Sequence, residues 1–109
     1  MESKVTKSPQ GTIIEAEIEL GIEGAEGPYY LTITTMKRYG GKIVAIASAK
    51  QRTAMGFVCM PFSDYSKAIC QAEGRATLSA LQQVQEYAMA KVEEIKADAI
   101  AFYSKAEVA

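Results

Sequence analysis

The chain has 109 residues, 49% of them apolar and 23% charged, with a formal net charge of −1. These values fit one soluble globular domain and exclude a disordered or collagen-like chain. Histidine is absent, which removes the commonest general base and metal ligand, so neither zinc chemistry nor a catalytic triad is expected.

No apolar run approaches the roughly 18–20 residues needed to cross a bilayer, and MESKVTKSPQ lacks the basic-then-apolar order of a secretory signal. A soluble, cytoplasmic protein is expected, or a nucleoid or nuclear one if it associates with DNA. Cys59 and Cys70 have no metal-type or redox-type spacing and read as buried small apolar residues, with no disulfide. No phosphate-cradling glycine motif occurs; Gly21, Gly24 and Gly27 lie between two strand patterns and open no helix.

The order of the charges says more than their sum. Residues 1–26 carry six glutamates against two lysines, and residues 64–109 carry seven acids against five cations. Between them, residues 27–63 hold Lys37, Arg38, Lys42, Lys50 and Arg52 and no acid. Clustered lysine and arginine supply phosphate contacts, so this basic middle is the candidate nucleic-acid surface. The competing reading is a solvated sheet face whose cations keep its edges soluble.

In chain order, residues 1–11 are polar and read as a flexible arm, leaving 12–109 as a single domain. From Thr12 to Leu20, apolar residues at 14, 16, 18 and 20 alternate with Glu15, Glu17 and Glu19, which predicts a half-buried strand with an acidic outer face. Same-side residues on a strand are about 7 Å apart, and no further ligand accompanies the glutamates, so a solvated face is favoured over a cation site. Gly21 to Pro28 reads as a loop. Tyr29 to Arg38 and Lys42 to Lys50 read as strands joined by a tight turn at Gly40-Gly41, and Ala54 to Met60 as a fourth strand ended by Pro61.

Ser63 is placed to cap a short helix carrying Tyr65, Ala68, Ile69 and Ala72 on one side. Thr77 is placed to cap a long helix to about Lys105, with Leu81, Val84, Ala88, Val92, Ile95, Ala99 and Phe102 in one stripe. Such a helix would be about 42 Å long, beyond what four short strands cover. The stripe, Leu81, Val84, Ala88, Val92 and Ile95 above all, is therefore expected to form a homodimer seam, with an intramolecular αα-hairpin as the alternative. The predicted fold class is α+β: a four-stranded antiparallel sheet, a short helix and a long C-terminal helix in a helix-mediated dimer.

Tyr39, flanked by Lys37, Arg38 and Lys42 at the hairpin tip, is placed to stack an unpaired base while the cations hold flanking phosphates. Tyr29, Tyr30 and Phe57 are further candidate platforms, though strand aromatics are more often core.

The run Arg38-Tyr39-Gly40-Gly41-Lys42-Ile43-Val44, followed by Arg52 and by Gly56-Phe57-Val58-Cys59-Met60-Pro61-Phe62-Ser63-Asp64-Tyr65, resembles the core of the positive cofactor four family of transcriptional coactivators, which bind single-stranded DNA. The resemblance spans Leu31 to Gln71. It implies that Tyr39 stacks on a base, that Lys42 and Arg52 contact phosphates, that Tyr65 packs the helix start against the sheet, and that the helix pairs two copies. Ile43 to Ala49 lacks the basic residues this family places there. The Glu-rich first strand and the helix beyond Gly74 extend past this family's core, which leaves open a more distant sheet-plus-helix single-strand binder such as the plant Whirly type.

The sequence thus predicts a non-enzymatic, cofactor-free binder of single-stranded DNA, with RNA as a variant ligand, acting in replication, recombination or transcription with little sequence preference. Its expected contact residues are Lys37, Arg38, Tyr39, Lys42, Lys50 and Arg52. The alternative is a structural or adaptor dimer that engages a protein partner through its long helix.

Overall fold

A computed structural model describes residues 3–8, 11–24, 27–38, 41–53, 56–58 and 65–108. The strands are β1 (Lys4–Ser8), β2 (Gly11–Gly24), β3 (Gly27–Arg38), β4 (Lys42–Thr53), β5 (Gly56–Val58) and β6 (Ser66–Glu73). Two helices follow, α1 (Leu78–Met89) and α2 (Val92–Val108). The α+β class is as expected, but the single antiparallel sheet has six strands where four were predicted. β1 to β4 form a meander, and β5 and β6 lie end to end along the far side of β4, so the six strands fill five positions.

The period-two pattern sets β2 as expected: Ile14, Ala16, Ile18 and Leu20 are buried, while Glu17 and Glu19 are exposed. The predicted loop from Gly21 to Pro28 is instead a bulge followed by a tight hairpin. Pairing with β3 slips between Glu19 and Glu23 and then resumes to Gly24 opposite Gly27. Gly21 absorbs the slip at φ 76°, a left-handed conformation that costs glycine little. β3 and β4 pair continuously from Tyr29 opposite Gln51 to Arg38 opposite Lys42. Gly41, at φ 74°, turns the chain at the closed end as the sequence predicts.

One face of the sheet carries the core. Ile14, Ile18 and Leu20 on β2, Leu31 and Ile33 on β3, and Ile43, Ala45, Ala47 and Ala49 on β4 pack with Leu81, Val84 and Ala88 of α1 and Ile95, Ala99 and Tyr103 of α2. The alanines of β4, each 0–1% exposed, leave room for the helices to lie close to the strand. Among the described residues no helix is long and apolar enough to cross a membrane.

Further expectations are corrected. Lys4–Ser8, assigned to a flexible arm, is a strand paired along β2 from Lys4 opposite Glu15 to Ser8 opposite Gly11. The predicted short helix is β6: the apolar spacing in Ser66–Glu73 suits either element, and pairing with Lys42–Ser48 satisfies β4 backbone groups that a helix would leave open. A bulge at Ile69, between Ala45 opposite Cys70 and Ile46 opposite Ala68, bends β6 at its middle.

The predicted long helix is two. Thr77 caps α1 as expected, its hydroxyl accepting from the Ala80 N–H at 3.1 Å. The helix closes at Ala90, whose N–H donates to Glu86 O at 2.9 Å, and the Lys91 N–H donates to Ala88 O at 3.0 Å. The expected dimer seam is thereby used inside the chain. Leu81, Val84, Ala88 and Ile95 are 0–8% exposed against the chain's own sheet, and Val92 packs beside them. Strands of 12–14 residues span about 40–48 Å, enough to cover both helices without a second copy.

Candidate nucleic-acid interface

Both helices lie on one side of the sheet, so the opposite face is where the predicted contact residues must be sought. On that face Glu15, Glu17 and Glu19 of β2 stand opposite Thr34, Thr32 and Tyr30 of β3. Thr32, Thr34 and Met36 in turn stand opposite Ser48, Ile46 and Val44 of β4. The Thr34 hydroxyl donates to Glu15 Oε2 at 3.0 Å, and the Thr32 hydroxyl donates to Ser48 O at 3.1 Å. Lys4 of β1 lies opposite Glu15. The face therefore runs from an acidic stripe on β2, through a neutral β3, to the half-buried apolar pair Val44 and Ile46 on β4.

The predicted cations are divided between the two ends of β4. Arg38 and Lys42 close the β3–β4 hairpin as an opposed pair on this face, both exposed, while exposed Lys37, opposite Ile43, alternates to the helix side. Among the described residues none of the three makes an ion pair. Lys50 lies opposite Tyr30 and Arg52 opposite Phe57, about 26 Å further along β4 for Lys50 at roughly 3.3 Å per residue. Tyr39, and the side chains of Lys50, Arg52 and Phe57, lie outside the described residues.

The remaining tyrosines divide by face. Tyr29 stacks on Tyr103 with ring centroids 4.5 Å apart, so its ring is committed to the helix side. Tyr30, one residue on, alternates to the open face and is half-buried there.

Tyr65 does a different job from the one the resemblance implies. It immediately precedes β6, not a helix, and holds the start of that strand to α2 and β4. Its hydroxyl donates to Asp98 Oδ2 at 2.7 Å, its N–H donates to Tyr103 Oη at 3.2 Å, and its carbonyl accepts from the Ala49 N–H at 2.8 Å. Burial, reinforced by the Asp98 carboxylate, pushes ionisation of this phenol well above the usual range. Lys67 reaches the same carboxylate at 3.6 Å, but both side chains are more than half exposed. Solvent screening leaves little stability in such a pair.

Arg75 is a residue the sequence reading missed. The Gly74 N–H donates to Gly41 O at 3.4 Å, which ties the β6–α1 corner to the hairpin end where Arg38 and Lys42 sit. Arg75 follows directly and is exposed.

Cys70 is half-buried, with its thiol pushed up by burial and directed to Val84 O at 3.8 Å. Cys59 lies outside the described residues. Among the described residues, no group of His, Cys, Asp and Glu side chains could hold a metal ion. No protein-family profile, curated protein or solved structure matches the chain, so a functional reading must come from its own side chains.

Proposed function

We propose that the chain binds single-stranded DNA with little sequence preference, on the sheet face away from its helices and along β4. The observation that carries this reading is the exposed pair Arg38 and Lys42, which makes no ion pair among the described residues, at one end of a face that neither helix covers. Phosphates meet cations at the ends of β4, and unpaired bases lie over the apolar stretch between them. The Tyr30 ring supplies a planar face there, and Val44, Ile46 and Met36 an apolar surface beside it, for bases that a duplex would keep stacked on one another. Tyr39 at the hairpin tip, as the resemblance to the positive cofactor four family suggests, would extend that surface.

The acidic stripe on β2 sharpens the preference. Glu15, Glu17 and Glu19 lie two strands from β4, about 10 Å away. A duplex on β4 would bring its second phosphate backbone toward them, whereas one strand need not. The adaptor alternative loses its main support, because the helix stripe it relied on is buried inside the chain.

Fluorescence anisotropy of a labelled oligo-dT, titrated between about 50 and about 200 mM salt, tests the reading. Each phosphate contact contributes roughly 0.7 to the slope of log K against log salt for a single strand. The Arg38→Gln/Lys42→Gln variant is therefore expected to bind more weakly and to lose about 1.4 from that slope. An unchanged slope would remove the hairpin end from the site, and absence of wild-type binding at the lowest salt would overturn the function.

A further inference from the structure

We propose that Arg75 is a further phosphate-binding residue, completing with Arg38 and Lys42 an anion site at the closed end of the β3–β4 hairpin. The inference rests on the single-strand reading above and adds to it a contact from a different part of the chain.

The fold brings three segments to this end of the sheet. β3 delivers Lys37 and Arg38, β4 opens on Lys42, and β6 ends there because its pairing places Glu73 opposite Lys42. The next residue, Gly74, bonds back to the turn through its N–H and Gly41 O. Arg75 is thus one residue, about 3.8 Å of chain, from a backbone group fixed to the hairpin.

Its main chain is held as well, since the Arg75 carbonyl accepts from the Thr77 N–H at 2.9 Å just before α1 begins. Its side chain is exposed, and among the described residues it makes no ion pair. Against Lys37, Arg38, Lys42 and Arg75 this end of the sheet offers one described carboxylate, Glu73, so the local charge stays clearly positive while the whole chain is at −1. A guanidinium presents a planar fork that can take two oxygens of one phosphate, which a lysine cannot. Arg75 is therefore suited, with Arg38, to grip a phosphate that Lys42 only attracts.

The test compares Arg75→Gln, Arg75→Lys and Lys96→Gln by oligo-dT anisotropy across the same salt range. Lys96 lies on α2, remote from the hairpin end, and controls for the loss of one positive charge. Arg75→Gln is expected to weaken binding several-fold and to lower the salt slope by about 0.7, with the thermal midpoint unchanged. Arg75→Lys is expected to recover the slope but not the full affinity, and Lys96→Gln to leave both as in wild type. If wild type binds and Arg75→Gln matches Lys96→Gln, the assignment of Arg75 is wrong while the single-strand reading stands. If wild type does not bind at the lowest salt, the parent reading fails, and this assignment with it.

Discussion

Leu31→Ala is expected to lower the unfolding free energy by about 3 kcal/mol, within the roughly 2–5 kcal/mol range for a buried leucine cut to alanine. Leu31 is 0% exposed on β3, the central of the sheet's five strand positions, opposite Ile18 on one side and Ala49 on the other. The removed atoms lose their transfer free energy, and a cavity term adds to it because the surroundings cannot close in. Ala49 has no side chain to spare, and both flanking strands are fixed by long ladders. Urea denaturation followed by far-UV circular dichroism measures the effect. A loss below about 1 kcal/mol would mean that Leu31 is not at the centre of the core.

Gln85→Leu is expected to cost about 2 kcal/mol by a different route, the stranding of buried polar groups. Gln85 is 2% exposed on α1, under the helix-side face of the sheet. Its Oε1 accepts from the Thr35 hydroxyl at 2.6 Å, and its Nε2 donates to Ile33 O at 3.0 Å and to the Ser3 hydroxyl at 3.2 Å. One amide thereby docks α1 on β3 and ties down the residue just before β1. Leucine nearly matches its volume but answers none of these groups, and Thr35, fully buried, has its hydroxyl left without this acceptor. Thr35→Val in the same chain removes that hydroxyl, so the double variant is expected to be less destabilised than the sum of the two singles. Strict additivity in chemical denaturation would show that the two side chains act independently.

Where the sequence carried a strong local signal, it foretold the structure. The alternation from Ile14 to Leu20, the small apolar run of β4 that needed a cover, the turn at Gly41 and the Thr77 cap all depend on neighbours in the chain. The features it hid depend on distant partners. Ser66–Glu73 has a spacing that a helix could use, and only the open edge of β4 decides for a strand. The break between α1 and α2 falls in Met89-Ala90-Lys91-Val92, which contains neither glycine nor proline, so no breaker residue marks it in the sequence. Glycines 21, 24 and 27 looked like loop residues because a bulge and a tight hairpin use the same residue type.

The candidate site was legible in part. Lys37, Arg38 and Lys42 come together because they flank one turn, a local relation that sequence shows. Lys50 and Arg52 belong to the same basic stretch yet fall at the other end of β4, since a straight strand separates residues that composition groups together. Arg75 is brought to the hairpin end by the backbone bond from its neighbour Gly74 to Gly41, across more than thirty residues of chain, and nothing in the local sequence signals that contact.

The most direct test of the central claim is a chemical-shift map of the ¹⁵N-labelled protein titrated with a short oligo-dT. A single strand held on the open face gives its largest amide shifts at Arg38, along Lys42 to Ser48 and at Tyr30, with the exposed helix residues Tyr87 and Glu94 unmoved. Shifts confined to the helices, or none across the titration, would contradict it.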